Sequence, residues 1–99
     1  MVKLEKLYEA TNGGLDIIVE YFPSAKKIVD GDAKKFKMRE GDRTPSASLH
    51  ERNGIWKVTD FGDAGHELSP IDIVMEQENC TFGEAVLKMA SRFNVPDEL

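Results

Sequence analysis

The dipeptide Asn53-Gly54 constrains this chain more than any other feature, because the residues on both sides of it alternate in polarity. Upstream, residues 46–50 read SASLH; downstream, residues 55–59 read IWKVT. Asn and Gly both tolerate the positive φ that a two-residue hairpin turn demands, so the pair is expected to join two antiparallel strands. In the second of these, Ile55, Lys57 and Thr59 face one way and Trp56 and Val58 the other. Residues 35–39, KFKMR, alternate charged and apolar side chains just as strictly and predict a further half-buried strand.

The flanks follow a helical period instead. Leu4, Leu7 and Tyr8 fall on one face of a segment over residues 3–11, which Asn12-Gly13-Gly14 stops. Ile17, Ile18 and Tyr21 mark a second short helix over 15–22, closed by Pro23, unless the two pieces form one kinked helix. Residues 24–33 read as a loop or irregular strand, punctuated by Asp30-Gly31-Asp32. Ser69-Pro70-Ile71-Asp72 has the make-up of a helix start: a capping serine, proline at the first helical position and an acid in the first turn. Thr81-Phe82-Gly83-Glu84 is a capping box, and Phe82, Ala85, Val86, Met89, Ala90 and Phe93 follow as an apolar stripe expected to face the core. Strands in the middle and helices at both ends predict an α+β fold, a small antiparallel sheet of about three strands built on a central hairpin. Ninety-nine residues suffice for one modest core, so residues 1–99 are taken as one domain.

No apolar run approaches the roughly 18–20 residues that cross a bilayer, and the N-terminus lacks the apolar stretch of a signal peptide. A cytoplasmic location and no membrane partner are expected. One cysteine, Cys80, excludes an internal disulfide and a multi-thiolate metal site. The net charge of −5 opposes nucleic-acid binding at first sight, but the charge is unevenly spread. Residues 25–57 hold nine Lys/Arg against five Asp/Glu, which leaves four and thirteen for the rest of the chain. A basic middle lies between acidic ends.

Catalysis finds no support. His50 and His66 occupy separate segments, Cys80 has no base beside it in sequence, and the Asn12-Gly13-Gly14 turn lacks the strand and lysine of a phosphate loop. No catalytic residue and no cofactor are expected.

Most of the chain resembles a known family. Arg43-Thr44-Pro45-Ser46, the hairpin strand and knuckle from Trp56 to Gly65, and the Pro70-Ile71-Asp72 helix start occur in the order and spacing found in the zinc-binding (CHC-type zinc finger) domain of bacterial DnaG-type DNA primases. Asp16-Ile17-Ile18 and Thr81-Phe82-Gly83-Glu84 are similar to that family's leading and last helices. The resemblance implies a zinc-ribbon-like sheet flanked by helices. It also departs at the decisive positions: the family's ligands fall here on Lys37, Glu40, Asp60 and Asp63. An ammonium group cannot ligate, and structural zinc takes thiolates and imidazole, so this is a degenerate form without zinc. Glu40, Asp60, Asp63 and Glu67 offer oxygens for a hard cation, although their spacing matches no known loop. Charge pairing of Lys37 with Asp60 and Asp63, and of Arg39 or Arg43 with Glu40, is the better replacement for the metal. Surface pairs contribute about 0–1 kcal/mol against roughly 10 for structural zinc, so helix packing has to make up the difference.

By resemblance, the chain is expected to be a non-catalytic accessory module that recognises single-stranded DNA template in a primase-like, replication or mobile-element protein. A primase- or helicase-type replication protein is the implied partner, and any synthesis belongs to a separate catalytic domain. Lys35, Lys37, Arg39, Arg43 and Lys57 would contact phosphates, and Trp56 or Phe61 would stack on bases. The alternative is a protein-interaction or regulatory module that kept the fold and lost DNA binding, in keeping with the acidic C-terminal third.

Overall fold

The computed structural model describes residues 2–37, 47–60 and 65–96. Their order is α1 (Leu4–Ala10), α2 (Leu15–Tyr21), a 3-10 turn (Pro23–Ala25), α3 (Lys26–Val29), β1 (Ala47–Arg52), β2 (Ile55–Asp60), β3 (His66–Leu68), α4 (Pro70–Glu78) and α5 (Phe82–Arg92). The fold is α+β, with a three-stranded antiparallel sheet ordered β1-β2-β3.

The hairpin forms where the Asn-Gly signal places it. Arg52 pairs with Ile55, so the loop is the two residues Asn53 and Gly54, at φ 56° and 80°. Both central residues at positive φ twist the turn to match the flanking strands. The predicted strand over 35–39 reduces, among the described residues, to one antiparallel bridge between Phe36 and Ala47; Met38 and Arg39 lie outside them. The third strand is instead β3, a segment with no alternation long enough to read. Residues 24–33 also differ from expectation. Pro23 opens a 3-10 turn, Ala25 is fully buried, and Lys26 begins a one-turn helix, because proline is pre-set for a first helical position and burial of Ala25 anchors the start of α3.

Helices α1 and α2 are separate rather than one kinked rod. Asn12, Gly13 and Gly14 take successive left-handed conformations, and the buried Thr11 hydroxyl donates to the Leu7 carbonyl at 2.8 Å to close α1. Two of these residues have to be glycine on steric grounds. A Cβ on Gly13 would overlap the Gly54 carbonyl oxygen, and one on Gly14 would overlap the Pro70 ring. The corner therefore abuts both the hairpin turn and the start of α4, and the Trp56 N–H donates to the Gly13 carbonyl at 2.9 Å.

The core is two clusters divided by α2 and α4. Ile18, Phe22, Phe36, Ala47, Leu49, Val58, Leu68 and Ile73 fill the space between the sheet and the helices. Leu7, Tyr8, Ile17, Ile71, Val74, Ala85, Val86 and Met89 fill the space among α1, α4 and α5. Consecutive residues Ile17 and Ile18 thus serve different clusters, which a helix permits because its turn separates neighbours by about 100°. Both C-terminal helices carry complete capping boxes, Ser69 with Asp72 and Thr81 with Glu84. Arg92 and Glu20 form an ion pair that ties α5 to α2.

One expected core residue is not buried. Phe82 is 49% exposed although it heads the α5 stripe. A stripe is buried only where another element lies opposite, and α1 and α4 cover its later turns; at the first turn Val2 is the neighbour. Leu87, off the stripe, is 58% exposed. Val2, Phe82, Gly83, Val86 and Leu87 line a shallow apolar groove of about 350 Å³.

Candidate nucleic-acid interface

Alternation along the hairpin divides its side chains between two faces. Ala47, Leu49, Val58 and Leu68 turn inward to the first cluster. The residues between them, Ser48, His50, Arg52, Lys57 and Thr59, take the other face, with Glu67 of β3 opposite Thr59. These outward residues are polar and at least partly exposed. Ile55, at the hairpin end, reaches the second cluster.

Register then brings basic groups together. His50 lies directly opposite Lys57, and Arg52 is two residues further along β1 on the same face. Cations gathered on one face of a sheet are unfavourable without a counter-ion. Glu67 supplies it. One carboxylate oxygen lies 3.2 Å from His50 Nε2 and 3.9 Å from an Arg52 guanidinium nitrogen, and the other lies 3.5 Å from Lys57 Nζ. Desolvation against the sheet pushes the Glu67 carboxyl up. The His50 hydrogen bond and the Lys57 and Arg52 charges outweigh that effect and hold it below the usual carboxylate range. Two permanent cations and an imidazole therefore surround one anion on a partly solvated face.

The expected contact residues divide. Lys57 is on this face, half-exposed. Lys35 and Lys37 are exposed and flank Phe36, whose bridge to Ala47 puts them beside the β1 edge of the sheet. Trp56 is across the sheet from Lys57, partly buried and packed on the first cluster. Arg39, Arg43 and Phe61 lie outside the described residues. His50, Arg52 and Glu67 were not among the expected nucleic-acid contacts, and Glu67 was weighed only as an oxygen donor to a cation. The hairpin register puts the first two on the Lys57 face, Arg52 because β1 runs past the expected strand end at His50. The place of Glu67 was not legible, because β3 carries no sequence signal of its own.

Of the four positions that the resemblance matches to zinc ligands, Lys37 is exposed and Asp60 is 3% exposed at the end of β2, while Glu40 and Asp63 lie outside the described residues. Asp60 pairs with His66, so the next residue, Glu67, points to the opposite face. Asp60 and Glu67 therefore cannot share one cation. Among the described residues no group of three or more His, Cys, Asp or Glu side chains is placed to hold a metal ion. Among them, too, no helix is long and apolar enough to cross a membrane.

No protein-family model, no curated protein and no solved structure matches this chain.

Proposed function

We propose that this chain is a non-catalytic module that binds single-stranded nucleic acid, DNA by the primase resemblance, through the outer face of its sheet. The observation that carries the reading is the convergence of His50, Arg52 and Lys57 on one face of a two-stranded hairpin. Strands hold their side chains at fixed spacing, so such a face meets a phosphodiester backbone without first having to order a loop. Arg52 offers a planar pair of donors to phosphate oxygens and Lys57 a compact charge. Lys35 and Lys37 extend the basic surface past the β1 edge.

Trp56 faces the core, so base stacking from the described residues does not assist, and binding rests on phosphates with little sequence preference. The order of motifs shared with the primase zinc-binding domain supports DNA as the ligand and a replication protein of the primase or helicase type as the wider context.

The test is fluorescence anisotropy of a labelled oligothymidylate, titrated at several salt concentrations. Two to three phosphate contacts on a single strand predict that log K falls with log salt at a slope of about −1.5 to −2. Lys57→Gln should make that slope shallower by about 0.7. No binding at the lowest salt, or binding indifferent to salt, rules the reading out.

A protein-interaction or regulatory module is the second reading, favoured by the exposed Phe82 and Leu87 and the apolar groove beside them. Absence of oligonucleotide binding together with loss of a protein partner on Leu87→Ser would select it.

A further inference from the structure

We infer that Glu67 is an intramolecular competitor of phosphate: its carboxylate occupies the place on the sheet face that a phosphodiester group takes, and so sets the affinity of the site. The inference rests on the nucleic-acid-binding reading and names the regulation of that same face.

Glu67 touches His50, Arg52 and Lys57 at once. Its two oxygens share them between His50 and Arg52 on one side and Lys57 on the other, at 3.2, 3.9 and 3.5 Å. A phosphate presents the same kind of acceptor, two or more anionic oxygens on one centre, to the same donors. Both anions cannot fill that space, so binding of one displaces the other.

Displacement is feasible because the carboxylate and the groups around it are open to water. The Glu67 side chain is 37% exposed, and so are its partners in part, Lys57 at 31%, His50 at 33% and Arg52 at 63%. Ion pairs this open to water are weak. The carboxylate also belongs to β3, a strand of three residues at the sheet edge, and can swing to solvent without disturbing the ladder. Its charge cancels one of the two permanent cations, so the face presents to an incoming strand about half the permanent charge it contains.

Replacing Glu67 by its neutral isostere should therefore tighten binding rather than weaken it. Removing a unit negative charge roughly 6 Å from a bound phosphate, at an effective dielectric constant between about 30 and 80, corresponds to about a three- to twentyfold gain. Asp30→Asn is the control. It changes net charge equally, but Asp30 is exposed at the C-terminal cap of α3, a helix whose Ile28 packs on the core cluster under the sheet's inner face. Screening over about 10 Å should limit its effect to less than about twofold.

The experiment measures oligothymidylate binding by anisotropy for the wild type, Glu67→Gln, Glu67→Thr and Asp30→Asn at low salt, with thermal melts to establish that each is folded. Gains of about three- to twentyfold for both Glu67 variants, and not for Asp30→Asn, support the inference. Wild-type binding that the Glu67 variants leave unchanged overturns it and spares the nucleic-acid reading. So does weaker binding by folded Glu67 variants, which would make the carboxylate a support for the cations. An equal gain for Asp30→Asn overturns it as well, since net charge alone would then be responsible. No binding by any variant removes the nucleic-acid reading and the inference together.

Discussion

Gly13→Ala places a methyl group at the one point where the α1–α2 corner, the hairpin turn and β2 meet. The structure assigns it two costs. Gly13 is at φ 72°, and a residue with a Cβ is strained there by about 1–2 kcal/mol. The added Cβ would also overlap the Gly54 carbonyl oxygen, a backbone atom that cannot rotate away. The corner has to move, and the movement pulls the Gly13 carbonyl from the Trp56 N–H it accepts at 2.9 Å. Leaving that pair unsatisfied costs about 1–3 kcal/mol. The sum is about 2–5 kcal/mol, a large share of the roughly 5–15 kcal/mol available to a domain of this kind.

Gly31→Ala separates the two costs. Gly31 has nearly the same conformation, φ 82°, but no atom of the described residues lies within 4 Å of its would-be Cβ. It should lose the strain alone, about 1–2 kcal/mol. Urea unfolding followed by circular dichroism gives both values. Thermal melts should show a fall of about 10–30 °C for Gly13→Ala and about 5–15 °C for Gly31→Ala. If the two variants agree within about 0.5 kcal/mol, the corner does not bear on the hairpin as described, and the steric reasoning is wrong.

Tyr21 gives a pH dependence with a definite sign. Desolvation, and then the hydrogen bond its hydroxyl donates to Glu78 at 3.0 Å together with that carboxylate's charge, push its pKa up to about 12. A folded value above the ordinary 10.0 means that the contribution is complete below pH 10 and is lost as pH rises toward 12. Denaturant midpoints measured across the alkaline range should fall less for Tyr21→Phe than for the wild type. The α5 surface provides a paired test: Met89→Ala, at 3% exposure, should cost about 2–5 kcal/mol, whereas Leu87→Ser, at 58%, should stay within about 0.5. A large loss for Leu87→Ser in the isolated chain would show that this face is covered in solution.

Much of the architecture was legible because its causes are local. Asn53-Gly54 specified a turn, its flanking alternation specified two strands, and two capping motifs specified where α4 and α5 begin. Each depends on backbone conformation and hydrogen bonds within a few residues, which neighbours in sequence control. The hairpin register went further than that reading: β1 runs on to Arg52, two residues past the expected strand end at His50, and so His50, Arg52 and Lys57 share one face. Periodicity alone said less. Of the alternating residues 35–39 only the part up to Lys37 is described, with one bridge at Phe36, and Phe82 has helical spacing yet is half exposed, with no helix or strand of the described residues laid over its end of α5.

The sequence alone therefore determined the α+β class, the hairpin with its turn, and the capped C-terminal helices. Tertiary structure alone decided that His66–Leu68 becomes the third strand, that Gly13 and Gly14 bear on the hairpin turn and Pro70, and that Trp56 turns to the core. It also brought Glu67 to the basic face, from a strand too short to announce itself. The physical reason is the same in each case. A three-residue strand gains its hydrogen bonds only from a neighbour already in place, and a counter-ion is chosen by distance in space. Neither property belongs to the residues until the sheet has formed.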